Sequence, residues 1–201
     1  MTVKLGVLIS GGGTTLQNFI DVIGAGKLDA EIKVVISSRA NVEGVNRARR
    51  ARIPTEVVER RRYDSIAEFS DAITEILDRC DIDLVVLAGL LQKYLFSERY
   101  EGRVLNIHPG PLPEFGGQGM YGHHVHEAVL AAGVSESACC VIIADHEYDH
   151  GPVILQKSVP VLPDDTPETL DARVFEAECE AYPEAVRLMA LRLGLGAAVD
   201  A

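Results

Sequence analysis

The sequence predicts an α/β fold built on a parallel sheet covered on both faces by helices. Two observations carry this expectation. Through roughly the first hundred residues, strand-like and helix-like stretches alternate, the rhythm that builds parallel sheets. The strand-like stretches are short continuous apolar runs such as Leu84–Leu87, and an unbroken apolar strand is one buried on both faces.

Taken in order, Val3–Ile9 is an apolar strand. Thr15–Ile23 has helical spacing, with Leu16, Phe19, Ile20 and Ile23 on one face. Ile32–Ser37 is a strand, Val45–Ala51 a helix and Thr55–Val58 a short strand. Ser65 is placed to cap a helix that carries Phe69, Ile73 and Ile76. The strands Leu84–Leu87 and Arg103–Ile107 follow. The remaining chain reads as a helix at His124–Ala132, strands at Cys139–Ala144 and Pro152–Val159, and a long helix from about Pro167 to Leu193. Pro163-Asp164-Asp165-Thr166-Pro167 supplies a turn, an N-cap and a proline at the first helical position.

A chain of 201 residues suits one domain with a substantial core. With 47% hydrophobic residues and a mean hydropathy of +0.11, the composition is globular rather than disordered. No apolar run reaches membrane-spanning length. The N-terminus enters a strand directly, without a signal-peptide pattern, so a cytoplasmic location is expected. A net charge of −11 disfavours general nucleic-acid binding. The arginines at 47, 49, 50 and 52 read as a solvated helix face, and those at 60, 61 and 62 as a basic loop. Cys80, Cys139, Cys140 and Cys179 contain no CxxC pair. Adjacent Cys139 and Cys140 point to opposite faces of a strand, so reduced thiols are expected. Both belong to the core rather than to a nucleophile, since no cation beside them would favour thiolate.

Strand one runs into Ser10-Gly11-Gly12-Gly13-Thr14-Thr15 and then a helix. Glycines permit close backbone approach, the helix start offers free N–H groups, and Thr14 and Thr15 add hydroxyls. No lysine precedes the threonines, and Leu16 occupies the last glycine's place in GxGxxG. The loop therefore suits a single phosphate better than a dinucleotide; the plainer alternative is a glycine-rich βα turn.

The most informative stretch is Asn106-Ile107-His108-Pro109, where proline stops an apolar strand. Asn106 and His108 are two apart and share one face. Asp149 lies in the polar loop Asp145-His146-Glu147-Tyr148-Asp149. If that loop folds over His108, an oxyanion donor, a proton carrier and a carboxylate that keeps the carrier charged come together. Such a set suits acyl transfer to an amine. The plainer alternative is a pair of satisfied polar groups at a strand end and a turn aspartate. In His123-His124-Val125-His126, His123 and His126 are possible i, i+3 neighbours. Glu127 is expected to point elsewhere and no metal-ligand spacing accompanies the histidines, so no metal is expected.

Four motifs in order resemble the phosphoribosylglycinamide formyltransferase (GAR transformylase) family. They are Ile9-Ser10-Gly11-Gly12-Gly13-Thr14-Thr15-Leu16-Gln17, Val86-Leu87-Ala88-Gly89, Asn106-Ile107-His108-Pro109 and Asp149-His150-Gly151-Pro152. The similarity extends to Glu178-Cys179-Glu180-Ala181-Tyr182-Pro183. It implies a doubly wound, mostly parallel sheet with helices on both faces. It also implies formyl transfer from the cosubstrate 10-formyltetrahydrofolate to the amine of glycinamide ribonucleotide (GAR), in purine synthesis. By resemblance, Asn106 binds the developing oxyanion and contacts folate, His108 acts as imidazolium and acid, and Asp149 raises the His108 pKa and relays a proton. Gly13, Thr14 and Thr15 match the substrate-phosphate loop, and Glu178 a residue near the ribose. Leu91 and Gln92 match one wall of the folate pocket and residues 145–149 another.

The resemblance further implies a single formyltransferase domain over 1–201, with a phosphate-binding half at 1–100 and a catalytic and folate half at 101–201. Small-molecule partners, a possible homodimer, and neither nucleic acid nor membrane are expected. The chain departs from the family at Ala138-Cys139-Cys140-Val141-Ile142, where Gly-x-Thr-x-His is usual and Ile142 takes the histidine's place. Gln92 and Ile66 stand where arginines are common, Cys179 replaces a histidine, and Pro111 interrupts an apolar pair. Gly116-Gly117-Gln118-Gly119-Met120-Tyr121-Gly122 lengthens a loop, a form that one branch of the family shares. The alternatives are a formyltransferase for another small amine, a formate-releasing hydrolase and a non-catalytic ligand-binding paralogue.

Overall fold

The computed structural model describes residues 2–195. It contains seven strands and five α-helices among the described residues, so the predicted α/β class holds. The chain divides into two compact units. Among the described residues, one comprises 2–104 together with 189–195, and the other is Leu105–Leu188.

In the first unit, β1 (Val3–Ile9), β2 (Ala30–Ser37), β3 (Thr55–Val57) and β4 (Leu84–Leu87) stand in the order β3-β2-β1-β4. Every ladder among them is parallel. The chain steps outward from β1 to β3 and then crosses to the other side of β1 for β4. That reversal makes the sheet doubly wound and leaves a switch point between the carboxyl ends of β1 and β4, where ligands bind in open α/β sheets. Leu5, Val7, Leu8 and Ile9 are wholly buried, each such large side chain contributing about 1.5–3 kcal/mol by burial. The helices α1 (Thr14–Gly24), α2 (Glu43–Arg50) and α3 (Ile66–Arg79) connect the strands. In α3, Ser65 caps as expected, its Oγ accepting from the Glu68 N–H at 3.1 Å, while the Glu68 carboxylate accepts from the Asp64 N–H at 3.1 Å. Phe69, Ile73, Ile76 and Leu77 form its buried face.

The second unit contains all but the first residue of β5 (Val104–His108), with β6 (Glu136–Ile143) and β7 (Val153–Pro160), paired antiparallel in that order. Between β5 and β6 lies α4 (His123–Ala131), and α5 (Pro167–Arg192) follows β7. Pro167 opens α5 as the sequence indicates. Thr166 and Thr169 cap it reciprocally, each backbone N–H donating to the other's hydroxyl at 2.9 and 3.3 Å. The buried Tyr182 hydroxyl of α5 donates to the Leu105 carbonyl at 2.7 Å and so braces β5 just before Asn106. β6 begins at Glu136, earlier than the apolar run starting at Cys139 suggests, because its first residues are held by pairing Glu136 to Pro160 and Ser137 to Val159.

Candidate active site

Asn106 and His108 emerge at the end of β5 on one side, as their spacing requires, and both meet Asp149. Asn106 Nδ2 donates to Asp149 Oδ1 at 3.3 Å, and His108 Nδ1 lies 3.4 Å from Asp149 Oδ2. Two further members complete the cluster. The Gly117 N–H donates to Asp149 Oδ2 at 3.1 Å, and His108 Nε2 contacts the Phe115 carbonyl oxygen at 2.8 Å. Both are backbone groups, which sequence reasoning missed because every residue carries them.

Asp149 has φ 54°, left-handed for a non-glycine residue, a conformation in which aspartate is less disfavoured than most residues. The preceding loop is braced by Asp145, whose carboxylate accepts from the Glu147 N–H at 2.8 Å and pairs with His150 Nδ1 at 2.8 Å. The next residue, Gly151, passes so close to β6 that a Cβ there would overlap the Ile143 carbonyl oxygen. Gly151→Ala should therefore destabilise the protein by about 1–3 kcal/mol or more and loosen Asp149 with it. A denaturant midpoint equal to wild type would show that the loop shifts freely.

A carbonyl oxygen can only accept, so His108 Nε2 carries a hydrogen and Nδ1, facing Asp149, is the nitrogen that gains or loses a proton. Three influences act on this ring. Burial pushes its pKa down, and this is the largest; the Asp149 carboxylate and the Phe115 carbonyl push it up. The net result is a pKa below the ordinary histidine value. This corrects the expectation that Asp149 lifts His108 above it: His108 is 2% exposed, which spacing in a sequence does not reveal.

At the carboxyl end of β1, the glycine loop enters α1 through Gly13 at φ 70°. A Cβ on Gly13 would stand 2.6 Å from the Gly44 Cα, so only glycine fits this turn. α2 supports the loop. The Gly44 N–H donates to the Gly11 carbonyl at 3.1 Å, and Arg47 Nε donates to the Gly12 carbonyl at 2.9 Å. No side chain caps the N-terminus of α1 and no acid lies in its first turn, an arrangement in which the first N–H groups of a helix suit an anion. After β4, Leu91 and Gln92 are tied to the same loop. The Leu91 N–H donates to Ser10 Oγ at 2.9 Å, and Ser10 Oγ donates to Gln92 Oε1 at 3.0 Å. The Leu91 side chain is half exposed.

Glu178 lies on α5, where enclosure of its carboxyl, with Asp171 adding to the effect, lifts its pKa to about 7. His126 is fully buried, its Nε2 3.0 Å from Asp171 Oδ1. His123 and His124 instead share Glu127, each at 3.3 Å. Glu127 thus faces the histidines, contrary to the expectation that it points elsewhere. Burial pushes the Cys139 thiol up to about 12, in keeping with a core position.

The formyl transferase family model matches residues 3–186. The phosphoribosylglycinamide formyltransferase of Haemophilus influenzae is 38% identical over 186 residues, covering 92% of this chain and 85% of that protein. The chain belongs to the formyl transferase family. It is also 42% identical over 190 residues to the trifunctional purine biosynthetic protein adenosine-3 of Gallus gallus, covering 94% of this chain but 18% of that longer protein. Among solved structures, glycinamide ribonucleotide transformylase 1 from Symbiobacterium toebii superposes with a TM-score of 0.89 at 38% identity, covering 95% of this chain and 89% of that one.

Proposed function

We propose that this protein transfers the formyl group of 10-formyltetrahydrofolate to the amine of GAR, in purine biosynthesis. The observation that carries the reading is the convergence of Asn106 and His108 on Asp149. Both contacts are long for hydrogen bonds, as catalytic contacts often are before substrate binds. A formyl oxygen accepted by Asn106 Nδ2 gains stabilisation as its charge develops in the tetrahedral intermediate. The attacking amine loses its proton to His108 Nδ1, and the resulting imidazolium is stabilised by Asp149 and in turn steadies the oxyanion. The proton then passes to the departing folate nitrogen, leaving formyl-GAR and tetrahydrofolate. In this reading a resting His108 depressed by burial is an advantage, because it begins as an acceptor.

The GAR phosphate sits on Gly13, Thr14 and Thr15, Glu178 faces the ribose, and Leu91, Gln92 and Asn106 contact folate. A carboxyl with a pKa of about 7 can present either a hydroxyl or a carboxylate to a sugar hydroxyl near neutrality. Residues 1–100 form the phosphate-binding half and 101–201 the catalytic and folate half of a single formyltransferase domain, which acts without a metal. Among the described residues no helix is long and apolar enough to cross a membrane. We place the protein in the cytoplasm, with homodimer formation possible and no nucleic-acid partner. The test is an assay of GAR-dependent deformylation of the folate, paired with a crystal soaked with GAR. Turnover with the phosphate at Gly13–Thr15 is expected; formate release without GAR, or a phosphate bound elsewhere, would overturn the assignment.

A further inference from the structure

The glycine loop is held by α2 through its carbonyl oxygens. The Gly11 carbonyl takes the Gly44 N–H, and the Gly12 carbonyl takes Arg47 Nε at 2.9 Å. The same guanidinium reaches past the loop into α1, where Arg47 Nη1 donates to Gln17 Oε1 at 3.2 Å. Gln17 is fixed in turn. Its side-chain amide donates to Asp21 Oδ1 at 2.9 Å, and its backbone N–H donates to the Gly13 carbonyl at 2.9 Å. One arginine of α2 thus ties the loop to the first turns of α1. Its stem runs alongside the loop, since a Cβ on Gly13 would stand 3.6 Å from Arg47 Cδ.

This arrangement has an electrostatic consequence. The Gly12 carbonyl and the Gly13 N–H belong to one planar peptide group. A cation hydrogen-bonded at the oxygen draws electron density toward it, which makes the N–H at the other end a stronger donor. The Gly44 contact does the same, more weakly, for the peptide group between Gly11 and Gly12. The guanidinium also adds a full positive charge beside a helix start that carries about half a charge of its own. Glu43 on the same helix is matched to Arg50 at 2.6 Å. Arg47 is half-buried, whereas Arg49 and Arg50 are exposed, so solvent screens its charge less than theirs.

We infer that Arg47 is a positioning residue for the substrate's phosphate, acting through the Gly12–Gly13 peptide group that it fixes and polarises. The inference rests on the assignment of the GAR phosphate to Gly13, Thr14 and Thr15. It makes α2 part of substrate recognition through a side chain bonded to the loop rather than to the reacting groups.

Calorimetric titration of the whole protein with GAR and with glycinamide riboside, the same molecule without its phosphate, tests this. Wild type should bind GAR the more tightly. Arg47→Met, which keeps the stem and removes the charge and both bonds, should weaken GAR roughly tenfold, as loss of a hydrogen bond from a charged group does. Riboside binding should be unchanged in that variant, and a general disturbance of the fold would weaken both ligands. Arg47→Lys should recover most of the GAR affinity, because an ammonium can still reach a carbonyl with its charge. Arg49→Met, the same change on the exposed side of α2, should bind GAR as wild type does. Equal weakening of GAR and riboside by Arg47→Met, unchanged GAR affinity in it, or the same loss in Arg49→Met would overturn the inference and leave the phosphate assignment standing. Wild type that binds GAR no better than the riboside would overturn the phosphate assignment and the inference with it.

Discussion

Replacing Asn106 or His108 by alanine is expected to lower kcat for formyl transfer by about 10²-fold or more, with GAR affinity largely retained. Removing one preorganised oxyanion donor typically costs on the order of 3 kcal/mol of transition-state stabilisation, and removing a positioned acid–base group costs a similar or larger factor. The two substitutions differ in their structural cost. Asn106 is partly exposed and its side chain bonds to Asp149, so its removal affects chemistry more than folding. His108 is buried and holds the Phe115 carbonyl, so its removal leaves a buried acceptor unmet and lowers stability as well. Steady-state kinetics with a thermal melt on each variant separate the effects. Wild-type kcat in a folded Asn106→Ala or His108→Ala protein would remove these residues from the mechanism.

The elements that were legible in the sequence are those whose signal is local. The bounds of β1 and β4 match their apolar runs because a strand buried on both faces shows itself as a continuous hydrophobic stretch. Ser65 and Pro167 mark the starts of α3 and α5 because capping acts within one turn. What was illegible depends on partners distant in the chain. The polar start of β6 at Glu136 exists through pairing with β7, and no residue there has strand character of its own. The same contrast divides the active site. Spacing put Asn106 and His108 on one face, and chemistry nominated Asp149. The Phe115 carbonyl and Gly117 N–H have no sequence signature, because every residue carries such groups. The His108 pKa was misjudged for a related reason: a neighbouring carboxylate can be guessed from a motif, but the depth of burial that outweighs it belongs to the folded core.

Asp149→Asn is the substitution that isolates charge from shape. Asparagine tolerates the left-handed backbone that position 149 adopts, and its amide oxygen can still accept from the Gly117 N–H. Its NH₂ group then meets the Asn106 amide, which can turn to present its own oxygen. The lost quantity is the negative charge that faces His108 Nδ1 at 3.4 Å. That charge is the larger of the two influences raising the His108 pKa against burial, so its loss leaves burial less opposed and the pKa falls further. The wild-type ring should therefore titrate below the unperturbed value of roughly 6.5, and the variant lower still. Catalysis should fall with it, because the proton taken from the amine at Nδ1 no longer has a carboxylate to stabilise it. GAR affinity should change little, since the phosphate is assigned to Gly13, Thr14 and Thr15. NMR titration of His108 in both proteins, with pH–rate profiles, reads both effects. The same His108 pKa in the two would mean that Asp149 shapes the loop and contributes no field. A lowered pKa with unchanged kcat would mean that the imidazolium plays no part in the rate-limiting step.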